Sequence, residues 1–339
     1  MSSLQTQFMQ RAVQIAHTAG KEIKSNPKVG CVIVLNDKII SEAAHYRYGE
    51  AHAEINAIEL AIKNGYQPSE KWEFYVTLEP CAHTGKTPPC AEKIFRIKPA
   101  KVYIGSLDQN PLVNGKGKAL LQNAGIETIV LPVEGLHELT QVFYKNLFTQ
   151  QPYTVLKWAQ TANGKMGATN QRIKISNALS DILVHKWRAA ADAILIGSKT
   201  LEIDDPLLNV RLVAGTDPRP IILTSQNKNE LKKYKVFKSN PDTVIIPVQD
   251  FQRVGGEVDW KQILKYLYKQ YHICRLLIEG GSVTLNSLIY QKCFDEIRLI
   301  RSEKIIQEAN ISAPNIEGCV LAQNYTLMND IINIYNIDK

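Results

Sequence analysis

The sequence predicts an α/β protein of two domains, and three features point to it. The chain has 339 residues, more than one average domain holds. Short β-branched apolar runs alternate with helical patterns of about ten residues, as in a largely parallel sheet covered by helices. Near residue 150 the pattern breaks, and the alternation resumes on a new strand after Pro152.

Each element has its own warrant. Met9, Ala12, Val13, Ala16 and Ala19 recur at helical spacing near the start. Two strand-like runs follow, "VGCVIVLND" and "KIISEAAHY", with Asn36-Asp37 as the turn between them. "HAEINAIELAIKNG" sets Ala53, Ala57, Leu60 and Ala61 on one helical face and stops at Gly65. "WEFYVTLEP" reads as a strand, "CAEKIFRIK" as a helix and "KVYIGSLD" as a strand; after the loop "QNPLVNGKG" come a helix "KALLQNAG" and a strand "IETIVLP". A helix near "LHELTQVFYKNLFTQ" closes the first half. Beyond it stand the strand "QPYTVLKWAQ", the helix "ALSDILVHKWRAAA" and the strands "DAILIGS", "PRPIILTS", "DTVIIPV" and "CRLLIEGG". The helix "TLNSLIYQ" and the strand "DEIRLIRS" complete the main pieces. No internal repeat or low-complexity segment interrupts them.

Composition excludes several function classes. The net charge of +7 divides into +2 for residues 1–150 and +5 for the remainder, with no basic block. The densest lysine run, "KNELKKYKVFK", is broken by apolar residues and reads as a solvated segment, so no nucleic-acid partner is expected. No run nears the roughly 18 apolar residues that span a bilayer, and the N-terminus lacks the apolar core of a signal peptide. The expectation is a cytoplasmic protein without a membrane partner. Six cysteines are too sparse for a disulfide framework, and Cys31, Cys274 and Cys293 lie in or beside apolar runs as small buried hydrophobes.

Cys81 and Cys90 differ. They bracket "EPCAHTGKTPPC", a loop pinned by Pro80, Pro88 and Pro89. His52 and Glu54, in "HAE", open a helix. One His and two Cys leave a tetrahedral zinc one ligand short, which is the open position a catalytic zinc keeps for water. Glu54 lies two residues from His52, within reach of that water, where a carboxylate can move its proton to a leaving amine. Together these form the His/Cys/Cys-plus-glutamate set of zinc deaminases. The alternative is a closed structural site with His83 or His45 as fourth ligand, but that site has no use for Glu54. The generic signature has about two residues between the cysteines, whereas eight separate Cys81 from Cys90. The ligand set favours zinc, with iron as the other candidate metal.

"HAEINAI" and "VTLEPCAHTGKTPPC", with "NPKVGCVIV" upstream and "LDQNPLVNGKG" downstream, closely resemble the bifunctional riboflavin-biosynthesis deaminase/reductase family, and the likeness spans essentially the whole chain. The resemblance implies a cytidine-deaminase-like three-layer α/β/α domain at 1–147 with one zinc. This domain would remove the 2-amino group of 2,5-diamino-6-ribosylamino-4(3H)-pyrimidinone 5′-phosphate. It also matches Asn26, His45, Lys86, Asp108 and Asn110 to the substrate pocket. Lys86, lying between the two cysteines, suits a phosphate as a point charge. Asn26, Asp108 and Asn110 could equally be turn-formers.

For residues 151–339 the resemblance implies a dihydrofolate-reductase-like α/β domain that uses NADPH to reduce the ribosyl group to ribityl. No G-x-G-x-x-G follows a strand there. Instead "LLIEGGSVTLNSLI" gives a strand, two glycines and a helix, where backbone could approach a phosphate. In "IDDPLLNVR" a loop could present Asp204 and Arg211 to one ligand. By resemblance Lys157, Ser176, Arg188, Asp204, Arg211 and Glu279 match substrate-side positions, and Gly197, Thr200, Gly280 and Gly281 the cofactor side. The chain departs from the family pattern at Asn163 and Thr224, where aspartate is usual, and at Lys174, where tryptophan is usual. These departures put the reductase pocket in question. The implied partner is a small phosphorylated pyrimidine, and the implied assembly a homo-oligomer, dimer or tetramer.

Overall fold

A computed structural model of the chain describes residues 3–82, 89–111 and 113–337. It divides into two compact units, residues 1–148 and 149–339.

In the first unit α1 (Ser3–His17) precedes the hairpin β1 (Gly30–Leu35) and β2 (Lys38–Ala44). Asn36 and Asp37 turn it with φ of 50° and 59°, the left-handed pair that matches the twist of a two-residue hairpin. Then follow α2 (Ala53–Lys63), β3 (Glu73–Leu78), α3 (Cys90–Ile97), β4 (Lys101–Ser106), α4 (Lys116–Asn123), β5 (Glu127–Val130) and α5 (Leu136–Thr149). The sheet order is β2-β1-β3-β4-β5. The β1 strand pairs antiparallel with both neighbours, while β3, β4 and β5 run parallel.

The central strands β1, β3 and β4 read as largely apolar runs because both faces are covered. Cys31, Ile33, Phe74, Val76, Val102 and Ile104 pack against α2, α3 and α4, while Val32, Val34, Tyr75 and Tyr103 meet α1 on the other side. Helix α5 joins α1 through Leu136 and Leu139. This is the expected three-layer arrangement. On α2 the buried face is Ala53, Glu54, Ala57, Ile58 and Ala61. Leu60 is only half-buried, because the i, i+3, i+4, i+7 wedge starting at Glu54 turns it toward the edge.

The second unit begins with β6 (Tyr153–Gln160), β7 (Lys165–Gly167), α6 (Ala178–Ala190), β8 (Ala193–Gly197) and α7 (Ser198–Asp204). It continues with β9 (Arg219–Thr224), α8 (Lys228–Leu231), α9 (Lys235–Ser239), β10 (Val244–Pro247), α10 (Trp260–Tyr271), β11 (Arg275–Ile278) and α11 (Ser282–Tyr290). The strands β12 (Glu296–Ser302), β13 (Ile311–Ser312), β14 (Cys319–Leu327) and β15 (Asp330–Ile337) finish it. Its main sheet runs β10-β9-β8-β11-β6-β12-β15-β14. All pairs through β12 are parallel, and the terminal hairpin β14–β15 adds antiparallel strands at one edge. Trp260, Ile263, Leu264 and Leu267 of α10, with Leu285 and Leu288 of α11, cover one face over Leu156, Leu195, Ile221 and Ile278. Among the described residues no helix is long and apolar enough to cross a membrane.

Candidate active sites

Three elements of the first unit converge on one point. His52 is the N-cap of α2, Cys81 follows the end of β3, and Cys90 is the first residue of α3. The His52 Nδ1 lies 3.7 Å from Cys81 Sγ and 3.3 Å from Cys90 Sγ, and the three atoms are within 4.8 Å of one another. A tetrahedral zinc with bonds of about 2.0 Å to nitrogen and 2.3 Å to sulfur sets the two atoms roughly 3.5 Å apart, so the donor set fits. The neck of the cysteine loop is closed by two backbone donors: Cys90 N–H gives to Cys81 Sγ at 3.3 Å and Ala91 N–H to Cys81 O at 3.1 Å. Hydrogen bonding from the Cys90 thiol, and then from His52, pulls the Cys81 thiol down to about 4.

Glu54 sits in the first turn of α2 and is 3% exposed, and its Oε2 has no hydrogen-bond partner. Burial pushes its carboxyl up to about 7, against the opposing pull of His52. A buried carboxylate oxygen left without a donor is costly. Glu54 lines a cavity of about 430 Å³ together with Asn26, His45, His52, Cys81, Asp108 and Asn110. The structure thus gathers every described deaminase-side residue of the sequence reading. Lys86 and His83 lie outside the described residues.

His45 is already engaged at both ring nitrogens. Asn26 Nδ2 donates to Nε2 at 2.9 Å, which leaves Nδ1–H to donate to Ala51 O at 3.0 Å. Burial lowers its pKa, so the ring is neutral and is not free to act as a fourth metal ligand. Asp108 Oδ1 accepts from Asn110 N–H at 2.8 Å and from the Tyr144 hydroxyl at 3.2 Å. Tyr144 and Glu79 were not among the residues singled out in the sequence. Glu79 lines the same cavity and shows itself only as the residue preceding "PC".

In the second unit Glu279, just past β11, accepts two parallel hydrogen bonds from Arg188 of α6, at 2.9 and 2.8 Å. Lys157 Nζ of β6 lies 3.9 Å from the same carboxylate, and the three side chains are only 11–14% exposed. Burial alone would raise the Glu279 carboxyl, but the Arg188 and Lys157 charges hold it down at about 2. Ser176 Oγ reaches Asp181 at 3.5 Å, and Lys174 pairs with Asp181 on the surface.

Asp204 is the last residue of α7 and not part of an open loop, because "SKTLEID" completes two helical turns. Among the described residues no ion pair joins it to Arg211. The Arg211 backbone N–H instead donates to His185 Nδ1 at 3.1 Å, and its guanidinium to Asn209 Oδ1 at 3.0 Å. The ends of the neighbouring strands β8 and β11 bring Gly197, Gly280 and Gly281 together with Thr200. A Cβ at Gly280 would stand 2.9 Å from Thr284 Cγ2, and one at Gly281 would stand 3.2 Å from Thr200 Oγ1. Neither of these glycines has a positive φ, so the requirement is space. Thr284, unremarked in the sequence, is the common wall. The departures have local uses: Asn163 accepts from the Thr161 hydroxyl at 2.6 Å, and Thr224 Oγ1 accepts from Gln226 N–H at 3.0 Å.

The His/Cys/Cys cluster beside a buried glutamate is the donor set of a zinc deaminase, and the second unit is a mainly parallel sheet with glycines at neighbouring strand ends, as in a cofactor-dependent enzyme. Residues 2–106 match the family described as "Cytidine and deoxycytidylate deaminase zinc-binding region", and residues 152–310 match the "RibD C-terminal domain". The chain is 34% identical to the riboflavin biosynthesis protein RibD of Aquifex aeolicus over 317 residues, covering 89% of this chain and 87% of that one. It is also 34% identical to RibD of Actinobacillus pleuropneumoniae, covering 81% and 77%. The solved Acinetobacter baumannii RibD superposes with a TM-score of 0.82 at 30% identity over 98% of both chains. A Thermotoga maritima deaminase/reductase superposes with 0.85 at 27% identity over 99% of both. The chain belongs to the RibD family, the bifunctional deaminase and reductase of riboflavin biosynthesis, with a cytidine-deaminase-like first unit and a RibD C-terminal reductase domain second.

Proposed function

We propose that the chain performs two consecutive steps on one small phosphorylated pyrimidine. The first removes the 2-amino group of 2,5-diamino-6-ribosylamino-4(3H)-pyrimidinone 5′-phosphate as ammonia, and the second reduces the ribosyl group to ribityl. The observation that carries this reading is the unpartnered, buried Oε2 of Glu54 beside the His52, Cys81 and Cys90 cluster. One zinc per chain, held by those three residues, would supply an activated water. Glu54, buried with an unpartnered Oε2 beside those three residues, is placed to hold a proton during the addition of water to the ring carbon and to pass it to the departing amine. Asn26, Asp108 and Asn110 orient the ring, neutral His45 braces Asn26, and Lys86 meets the phosphate.

For the second step NADPH would supply the hydrogen and electrons. Gly197, Thr200, Gly280 and Gly281 form the cofactor side, where Thr284 packs against Gly197 and Gly280 and a side chain at either would crowd it. Lys157, Arg188 and Glu279, with Ser176, Asp204 and Arg211, form the substrate side. A cytoplasmic location, with all six cysteines free, and a homo-oligomer, on family likeness alone, belong to the same reading. Sedimentation measures the oligomer.

The test is a paired assay on the zinc-loaded chain. Ammonia release is followed first without NADPH, and NADPH oxidation is followed once it is added. Ammonia and then oxidation are expected. A chain that releases no ammonia would overturn the first assignment, and ammonia without oxidation would overturn the second.

A further inference from the structure

Glu79 is 4% exposed, and its carboxylate accepts three backbone N–H groups from the segment that follows β4. Asp108 N–H and Gly115 N–H both reach Oε2, at 3.2 and 2.9 Å, and Lys118 N–H reaches Oε1 at 3.0 Å. Two of these donors bracket the loop with Asp108 and Asn110, and the third lies in the first turn of α4, whose early N–H groups have no intrahelical partner. Gly117 presses on the same strand end: a Cβ there would fall 1.9 Å from Pro80 O. Glu79 is two residues from Cys81. One carboxylate therefore joins the strand end that carries a metal ligand to the loop that carries two polar groups of the cavity.

We propose that Glu79 is a positioning residue for the deamination: it sets Asp108 and Asn110 at a fixed reach from the Cys81 end of β3, and so fixes where the pyrimidine lies against the metal. This rests on the reading that Asp108 and Asn110 contact the substrate. Charge-assisted bonds to backbone N–H groups are strong, and a glutamine must turn its NH₂ toward at least one of the three donors.

The test compares E79Q, N110A and the double variant in the full, zinc-loaded chain, reading KM, kcat and zinc content. We expect E79Q to raise KM about 10-fold, as for other outer-sphere orienting groups, with kcat changed less than about 3-fold and zinc retained. The double variant should show less than the product of the two single effects, because both act through one loop. Should E79Q not fold, G117A strains the same junction and should give the same KM signature. An unchanged KM in E79Q beside a raised KM in N110A would overturn the proposal, as would multiplicative effects. So would loss of zinc in E79Q, which would make Glu79 a support of the metal strand alone. An unchanged KM in N110A would overturn the substrate-contact reading itself, and the positioning role with it.

Discussion

Replacing Arg188 with methionine strips a largely buried carboxylate of its bidentate partner. Glu279 holds its proton only below about 2, against an ordinary value of 4.5. At about 1.4 kcal/mol per pH unit, that depression corresponds to about 3 kcal/mol. It agrees with the 3–5 kcal/mol typical of breaking a buried pair from one side. Lys157, relieved of the Arg188 charge, returns a fraction, so a loss of about 3 kcal/mol is expected. The second unit spans residues 149–339, for which an unfolding entropy of about 0.4 kcal/mol/K follows. Its calorimetric transition at pH 7 should therefore drop by about 7 °C. The pH dependence has a definite sign. A carboxyl depressed in the folded state stabilises above its unfolded value, and that contribution is lost as the pH falls from about 4.5 toward 2. The unmutated unit should lose stability across that window, and R188M should lose much less. A pH 7 transition within 1 °C of the parent chain, or an equal acid loss in both proteins, would refute the reasoning.

Other outcomes follow from the same geometry. E54Q should reduce ammonia release by about 10²–10⁴-fold while zinc content, read by a chromogenic chelator, stays at the parent level. C90S should lose the metal and the ammonia release together, yet leave NADPH oxidation by a supplied deaminated substrate intact. G280V forces side-chain carbon into Thr284, already 2.9 Å from a bare Cβ, and should raise KM for NADPH at least about 10-fold; T284S, which removes the crowding methyl, should recover part of it. G30A places a Cβ 2.1 Å from Ala12 O, between β1 and α1, and should destabilise the first unit by about 1–3 kcal/mol in urea titration.

The first unit was largely legible in the sequence because its strands are apolar runs buried on both faces and its helices carry clear stops such as Gly65. The second was less so. Helix α10 carries a regular i, i+3, i+4, i+7 stripe in Trp260, Ile263, Leu264 and Leu267 that the sequence reading passed over, whereas β14 is exposed along most of its length and offers no buried face to find. Asp204 looked like loop because "DDP" is turn chemistry, yet the chain holds a helix to that residue and turns only at Asp205, with φ of 38°. The metal cluster was readable because its chemistry needs rare residue types. Glu79, Tyr144 and Thr284 were not readable, since a carboxylate that accepts backbone donors, a hydroxyl behind a loop and a methyl against glycines leave no compositional trace.

The closed neck between Cys81 and Cys90 separates two jobs that a shorter spacing would merge. Because Cys90 N–H and Ala91 N–H clasp Cys81 directly, the geometry at the metal depends on a strand end and a helix start and not on the chain between them. Closure entropy grows only with the logarithm of length, so a longer spacing between two clasped ends costs little more than a short one. An eight-residue spacing where about two are usual therefore leaves the two thiols held by the elements that flank it, whatever the length between them.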